Sequence, residues 1–300
     1  MSSSRISFSQ YQMWKGCPHR WKLNYIDKVS VPSPSIALVF GTAMHEVLQM
    51  YVEMLYRSTV EEANELPLED LLKEKMGVEY KKLLTENNDE HFSHRDEMQE
   101  HLMDGIEIIR WFKAHREEFF MKKGWELVGI ELPINIVPLE SNPNVRLVGF
   151  LDLVMRDIRN GKIHIYDFKT STSGWNKYTK ADKVKTSQLV LYKTFYAKQY
   201  DIHPDDIEIE YLILKRKIDE NAEYAAMRKR VQRFAPSHGK VSQTQILKEI
   251  QTFVETAFDS EGNKRTDIYY PPIEGEKKKN CRWCEFKDRD DLCPIKNRVQ

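Results

Sequence analysis

Three side chains near the middle of the chain and four at its two ends could do chemistry. Asp152, Asp167 and Lys169 lie in GFLD and DFK, within segments that are otherwise mostly apolar. Burying an unpaired carboxylate is expensive, and one lysine does not neutralise two aspartates. A hard divalent cation would, because carboxylate oxygens are what Mg²⁺ and Mn²⁺ bind. The alternative is a solvent-facing strand edge on which Asp152 and Lys169 form an ordinary cross-strand ion pair. The second group is Cys17, Cys281, Cys284 and Cys293, the only cysteines in 300 residues. A C-x2-C pair presents two thiolates to one metal from a tight turn, and a third cysteine follows nine residues later. Soft thiolates suit Zn²⁺ and iron–sulfur clusters alike, and spacing does not choose between them. With Cys17 as fourth ligand, the metal would staple the first helices to the C-terminal tail. The plain alternative is a set of structural thiols.

The composition narrows what these groups serve. Hydrophobic residues make up 41% and aromatics 11%, which is enough for a real core and excludes a wholly disordered chain. Lysine plus arginine and aspartate plus glutamate both number 46, so the net charge is zero. Recognition of a polyanion by bulk charge is excluded; a locally basic groove is not. No apolar run approaches the roughly 20 residues of a membrane span, and Met-Ser-Ser-Ser-Arg is no secretory start. Four cysteines are too few for a disulfide scaffold, so a reducing cytoplasm is the expected location.

Periodicity gives the elements that must position these residues. Residues 7–26 read as two short helices, with Ser7 and Gln10 as a capping box and Pro18 in the first turn of the second. A Pro/Ser loop covers 32–35. Residues 42–57 form an amphipathic helix through Ala43, Val47, Leu48, Tyr51, Met54 and Leu55. Residues 60–121 are charged and helix-prone, as expected of a helical insertion. Three β-rich segments follow, WELVGIELPINIV, VRLVGFLDLVMRD and KIHIYDFKT. A helix at 183–200, a strand DIEIEYLILK and a helix at 242–257, opened by a Ser242/Gln245 capping box, complete the order.

The turn between the second and third strands decides how the acidic residues meet. Asn-Gly is the preferred centre of a two-residue type I′ turn. With Asn160 and Gly161 at that centre, Asp152 faces Lys169 and Val154 faces Asp167. Asp152, Asp167 and Lys169 then share one sheet face, the two aspartates about 7–8 Å apart at the backbone. Val148, Phe150, Ile163 and Ile165 occupy the same face, which argues against a wet surface.

These residues resemble a family. Asp152 in GFLD followed by Asp167-Phe168-Lys169 is similar to the PD-(D/E)XK nuclease motif in its D-x-K form. The resemblance extends to the RecB-like exonuclease branch, which includes the AddB nuclease domain and the CRISPR-associated adaptation nucleases. Gly41 to His45 fits that branch's helical G-x-x-x-H, and Gln188 with Tyr192 fits its Q-x-x-x-Y. Cys17-Pro18 with Cys281, Cys284 and Cys293 fits its four-cysteine [4Fe–4S] arrangement, although the gap before Cys293 is long and the 60–121 stretch has no counterpart in the minimal domain. The resemblance implies a single α/β domain over 1–300, with a restriction-endonuclease-like mixed sheet flanked by helices. A cysteine segment at 277–300 would join Cys17 in the cluster. It further implies Mg²⁺ or Mn²⁺ held by His45, Asp152, Asp167 and the Phe168 carbonyl, with Lys169 catalytic and Gln188 and Tyr192 positioning substrate. The implied reaction is DNA hydrolysis to 5′-phosphate and 3′-hydroxyl ends. It would take place in the cytoplasm of a bacterial or phage-infected cell, in recombination, repair or phage DNA processing, alongside a helicase, recombination or integrase protein. A non-catalytic DNA-binding scaffold, an endonuclease and a four-cysteine zinc protein remain alternatives.

Other candidates are weaker by themselves. His45 lies just outside its helix's apolar arc. Glu131 is a further acid or the partner of a surface base. Lys215, Arg216, Lys217, Arg228, Lys229, Arg230 and Arg233 form either a solvated face or a phosphate-neutralising patch. Trp175, Tyr178 and Trp283 are either core aromatics or stacking platforms for unpaired bases.

Overall fold

Helix starts follow local chemistry at the N-terminal end. A computed structural model describes residues 4–29, 33–120, 123–275 and 279–293. Residue 32 of the expected loop, residue 121 of the helix-prone stretch, and 277–278 and 294–300 of the cysteine segment lie outside them. A short strand β1 (Ser4–Ile6) leads into α1 (Phe8–Gly16), where Ser7 Oγ accepts the Gln10 N–H at 3.3 Å. The Gln10 side chain reaches Arg5 O instead of closing the capping box. Helix α2 (Pro18–Tyr25) has Pro18 in its first turn and Cys17 as N-cap. Ser35 caps α3 (Ile36–Arg57), which therefore starts six residues before the apolar periodicity does.

Helices α4 (Val60–Glu65), α5 (Leu68–Glu86) and α6 (Arg95–Ala114) occupy the charged stretch. Strands β2 (Trp125–Ile136), β3 (Val145–Asp157) and β4 (Ile163–Ser171) follow, then α7 (Lys177–Ala181) and α8 (Lys183–Tyr200). The chain continues through β5 (Ile207–Lys215), α9 (Ala225–Arg228), β6 (Val231–Phe234), α10 (Lys240–Ala257) and α11 (Lys279–Arg282). Helix α10 starts at Lys240 with Gly239 as N-cap, so the expected Ser242/Gln245 box does not form. Gln245 bonds Glu249 instead, one turn on.

The strands make one mixed sheet of order β1-β3-β4-β5-β6, with β2 on the far edge of β3. Helix α8 is the crossover between the parallel strands β4 and β5. One face packs a core with α1, α2, α8 and α10, including Trp21, Phe195 and Phe253. The other packs a core with α3, α5 and α6, including Phe40, Phe112 and Phe168. The fold is thus the mixed α/β sheet flanked by helices that the sequence led us to expect.

The β3–β4 turn differs from expectation. Asp157 pairs with Lys162 (N to O, 2.9 Å) around a four-residue loop. Within that loop only Gly161 has positive φ (77°), whereas type I′ needs two such residues. Asp157 is the cause: its carboxylate accepts the Arg159 N–H at 3.0 Å and pairs with the guanidinium at 2.7 and 2.8 Å, which sets a wider turn ahead of Asn160. The register moves by two residues, to Leu153↔Tyr166 and Val154↔Ile165. Asp152 therefore comes level with Asp167 and not with Lys169.

Two irregularities in β3 open a gap in the sheet and turn side chains into it. Its β2 edge is covered along 147–157, but the other edge is shared between β1 at 145–147 and β4 at 153–156. Among the described residues no strand covers 148–152 on that edge, which leaves a notch. The pair Leu132–Leu151 packs on the α8 side, yet Ile130–Leu153, two residues along, packs on the α3 side. Regular alternation would keep both on one face. The exchange falls at Glu131 and Asp152, and Glu131 takes left-handed backbone with φ 48°. Face-sharing by simple alternation therefore fails at Asp152, and Phe150 on the supposed common face is exposed.

Candidate active site

The notch collects side chains from four elements. Helix α3 presents Gly41, His45 and Gln49 four residues apart, hence in one stripe. Gly41 sits where the helix passes closest to β4, because a Cβ there would lie 3.3 Å from Thr170 Oγ1. One turn later, His45 Nδ1 is 3.3 Å from Asp152 Oδ2, with its ring edge-on to Phe168. Another turn on, buried Gln49 donates to Glu131 Oε1 (2.6 Å) and to the Asp152 carbonyl (3.2 Å). Asp152 Oδ2 also accepts the Phe168 N–H at 2.9 Å. Both main-chain groups of a strand residue point to the same edge, so the Phe168 carbonyl faces the notch as well.

Strand β4 contributes Asp167 and Lys169, with Lys169 Nζ 2.8 Å from Asp167 Oδ2. From α8, Tyr192 lies against Gly149 and within electrostatic reach of Lys169, and its hydroxyl accepts from Gln188 Nε2 at 3.3 Å. The structure thus gathers His45, Asp152, Asp167, Phe168, Lys169 and Tyr192 at one place, with Gln188 bracing Tyr192. Two carboxylates, an imidazole and an ammonium around a gap in a sheet suit metal-assisted hydrolysis of a phosphate ester.

Comparison with known families gives the same frame over the whole chain. Residues 5–293 match the sequence profile of the PD-(D/E)XK nuclease superfamily. The chain belongs to that superfamily. A comparison with curated proteins found no match.

Nucleases of the PD-(D/E)XK superfamily typically use Mg²⁺ or Mn²⁺, and the electrostatics of this site fit such an ion. Burial pushes Asp152 up to about 6, with Glu131 adding to the effect and Lys169 and the Phe168 N–H opposing it. Burial likewise pushes Asp167 up to about 6, against the pull of Lys169 and with the push of Asp152. Lys169 Nζ lies 2.8 Å from the buried Asp167 Oδ2 and opposes its desolvation. Burial alone would lower Lys169, but Asp167 and Asp152 together outweigh it and keep the amine protonated. Burial lowers His45 and favours the neutral imidazole, against the pull of Asp167 and a hydrogen bond to the Phe168 backbone. Among the described residues no group of three or more His, Cys, Asp or Glu, here or among the four cysteines, is placed to hold a metal ion.

Gln49 was not singled out by sequence, although its place four residues after His45 on the same face was the available signal. Glu131 takes Gln49, not a surface base, as its partner. The basic run 215–233 is largely neutralised from within: Arg216 and Lys217 pair with Asp104, Lys229 with Glu118 and Arg233 with Glu210. Lys215 is buried and donates to Met227 O. Four of the seven cations of this run thus carry acidic partners, and Lys215 is buried. Trp175 packs on Tyr211 and Phe234 as a core aromatic, while Tyr178 and Trp283 are exposed.

At the termini, Cys17, Cys281, Cys284 and Cys293 line one small cavity between α2, residues 272–273 and the C-terminal segment. No disulfide joins them. Cys17 Sγ accepts the N–H groups of Arg20 (3.5 Å) and Ile273 (3.4 Å). Burial, then the three other cysteines, push the Cys293 thiol up to about 11. An Arg20–Glu285 ion pair at 2.6 Å ties α2 to the same segment.

Proposed function

We propose that this protein is a Mg²⁺- or Mn²⁺-dependent DNA exonuclease of the RecB-like branch, acting on single-stranded DNA or DNA ends. The observation that carries the reading is the convergence of His45, Asp152, Asp167 and Lys169 on the notch in β3. Asp152, Asp167, His45 and the Phe168 carbonyl would hold the cation. When bound, it would polarise the scissile phosphate and lower the pKa of the attacking water. Lys169, beside the two carboxylates, would orient or activate that water and stabilise charge developing on the phosphate. Gln188 holds Tyr192 against the notch, where it positions substrate. The four cysteines would bind a structural [4Fe–4S] cluster clamping α2 to the C-terminal segment, with Zn²⁺ as the alternative; their shared cavity supports this. The helices over 60–121 would be an insertion in a single domain. The reading places the enzyme on DNA in the cytoplasm; among the described residues no helix is long and apolar enough to cross a membrane.

The test is digestion of end-labelled linear single- and double-stranded DNA and a closed circle, with Mn²⁺, Mg²⁺ or EDTA. Metal-dependent loss of linear DNA that spares the circle supports the reading. Cutting of the circle makes the enzyme an endonuclease, and no cleavage by metal-replete protein favours a DNA-binding scaffold.

A further inference from the structure

Phe150 is the large side chain of the notch that packing does not explain. It is 58% exposed, although it lies in the middle of a thirteen-residue strand whose neighbours Leu147, Leu151 and Leu153 are all about 1% exposed. It precedes Asp152 by two residues, about 6.6 Å along the backbone of the strand. Among the described residues no strand pairs with 148–152 on the β4 side, so Phe150 borders the open notch. Across β2 its partner is Pro133, itself exposed. On the facing helix, Leu38 precedes Gly41 and His45 in the same stripe and is 49% exposed. Further out on the strand, Arg146 carries its guanidinium on Asn135 at the rim. An apolar aromatic face thus borders the carboxylates, and a cation lies beyond it.

We propose that Phe150 is a stacking platform for an unpaired nucleobase next to the scissile phosphate, so that this site selects single-stranded or frayed DNA. The proposal rests on the nuclease reading above. An aromatic face accepts any base once it is out of a duplex and gives nothing to a base still paired. A phosphate held at Asp152, Asp167 and Lys169 leaves its neighbouring base beside Phe150, and Arg146 is placed for a phosphate further along.

The experiment measures DNA binding by fluorescence anisotropy in the Lys169→Ala background, with Mg²⁺ present, for Phe150, Phe150→Ala and Phe150→Trp. The probes are a labelled oligo(dT) and a blunt hairpin duplex. Phe150→Ala is expected to weaken oligo(dT) binding at least about fivefold, the lower end of one base–aromatic stack. Duplex binding should change less than twofold, and Phe150→Trp should restore oligo(dT) affinity with quenching of the new indole. Equal oligo(dT) affinity for Phe150 and Phe150→Ala, in a protein whose Lys169 form digests DNA, overturns the stacking role alone. Equal weakening on both probes also overturns it, since selectivity is the claim. Failure of the Lys169 form to bind or digest either DNA defeats the nuclease reading and the stacking role together.

Discussion

Asp152 accepts the backbone N–H of Phe168 through its own carboxylate, at 2.9 Å, at the point where β3 and β4 part. A side chain stands in for a ladder acceptor, so the sheet opens without leaving that donor orphaned. The opening admits His45 from one side of the sheet and Asp167 with Lys169 from β4. The same oxygen that finishes the sheet therefore faces the reaction site, which ties the site's geometry to the fold's hydrogen bonding.

Replacing Lys169 with Ala, or Asp167 with Asn, is expected to abolish cleavage while preserving DNA binding and the fold. Loss of at least about 10²-fold is the scale for removing one such electrostatic group from a site. Circular dichroism and a binding assay run beside the digestion separate a dead site from a misfolded chain. Normal cleavage by either clean variant would sink the assignment.

The paired carboxylates also make a pH prediction. Asp152 and Asp167 move from the ordinary 3.8 up to about 6 in the metal-free protein. Between those values the folded state holds protons that the unfolded chain has released, so this pair lowers stability as pH rises from about 4 to 6. Above 6 the cost is complete, and a cation that neutralises the pair should raise Tm more at pH 8 than at pH 5. The slope is read as the difference between the native chain and Asp152→Asn/Asp167→Asn. No difference in slope, or an equal metal shift at both pH values, would refute it.

Gln49 gives a prediction that does not depend on substrate contact. It donates to both Glu131 and the Asp152 carbonyl from a buried position. Gln49→Leu leaves the part-buried Asp152 carbonyl without that donor, which costs about 1–3 kcal/mol, while exposed Glu131 turns to water. The strained left-handed Glu131 should then relax and carry Asp152 with it. Thermal denaturation should show the loss, and cleavage should fall through kcat more than through KM. Glu131→Gln, which keeps an amide acceptor for Gln49, should unfold closer to the native temperature.

Much of this was legible in residues whose spacing maps directly onto geometry. Gly41 and His45 are one helical turn apart, and the small residue marks the close approach to Thr170 that lets the histidine reach the sheet. Gln188 and Tyr192 hydrogen-bond for the same reason. The hairpin misled because Asn160-Gly161 competes with Asp157, whose carboxylate organises a longer loop through Arg159; local propensity lost to an ion pair. Strands β1 and β6, of three and four residues, are too short for a period to show. Their place is set by partners far along the chain. The notch was invisible for that reason, since it exists only because β1 and β4 divide one edge of β3.

The cysteines supply the last prediction. Cys17 caps α2 through its sulfur, and the remaining three come from a segment whose only regular element among the described residues is the four-residue α11. Without a metal, burial holds Cys284 and Cys293 as thiols, which leaves buried Phe286, the Arg20–Glu285 and Lys279–Asp182 ion pairs and scattered hydrogen bonds to fasten the C-terminal segment. A bound cluster would draw the thiols into thiolate form and release protons. Protein purified without oxygen is therefore expected to carry about four irons with matching sulfide per chain. Cys17→Ser should lose that iron, lower Tm and expose the C-terminal segment to proteolysis, while His45 and the β3 notch stay intact. About one zinc per chain in place of iron would change the metal and keep the clamp. A metal-free chain with unchanged Tm on Cys17→Ser would remove the clamp altogether.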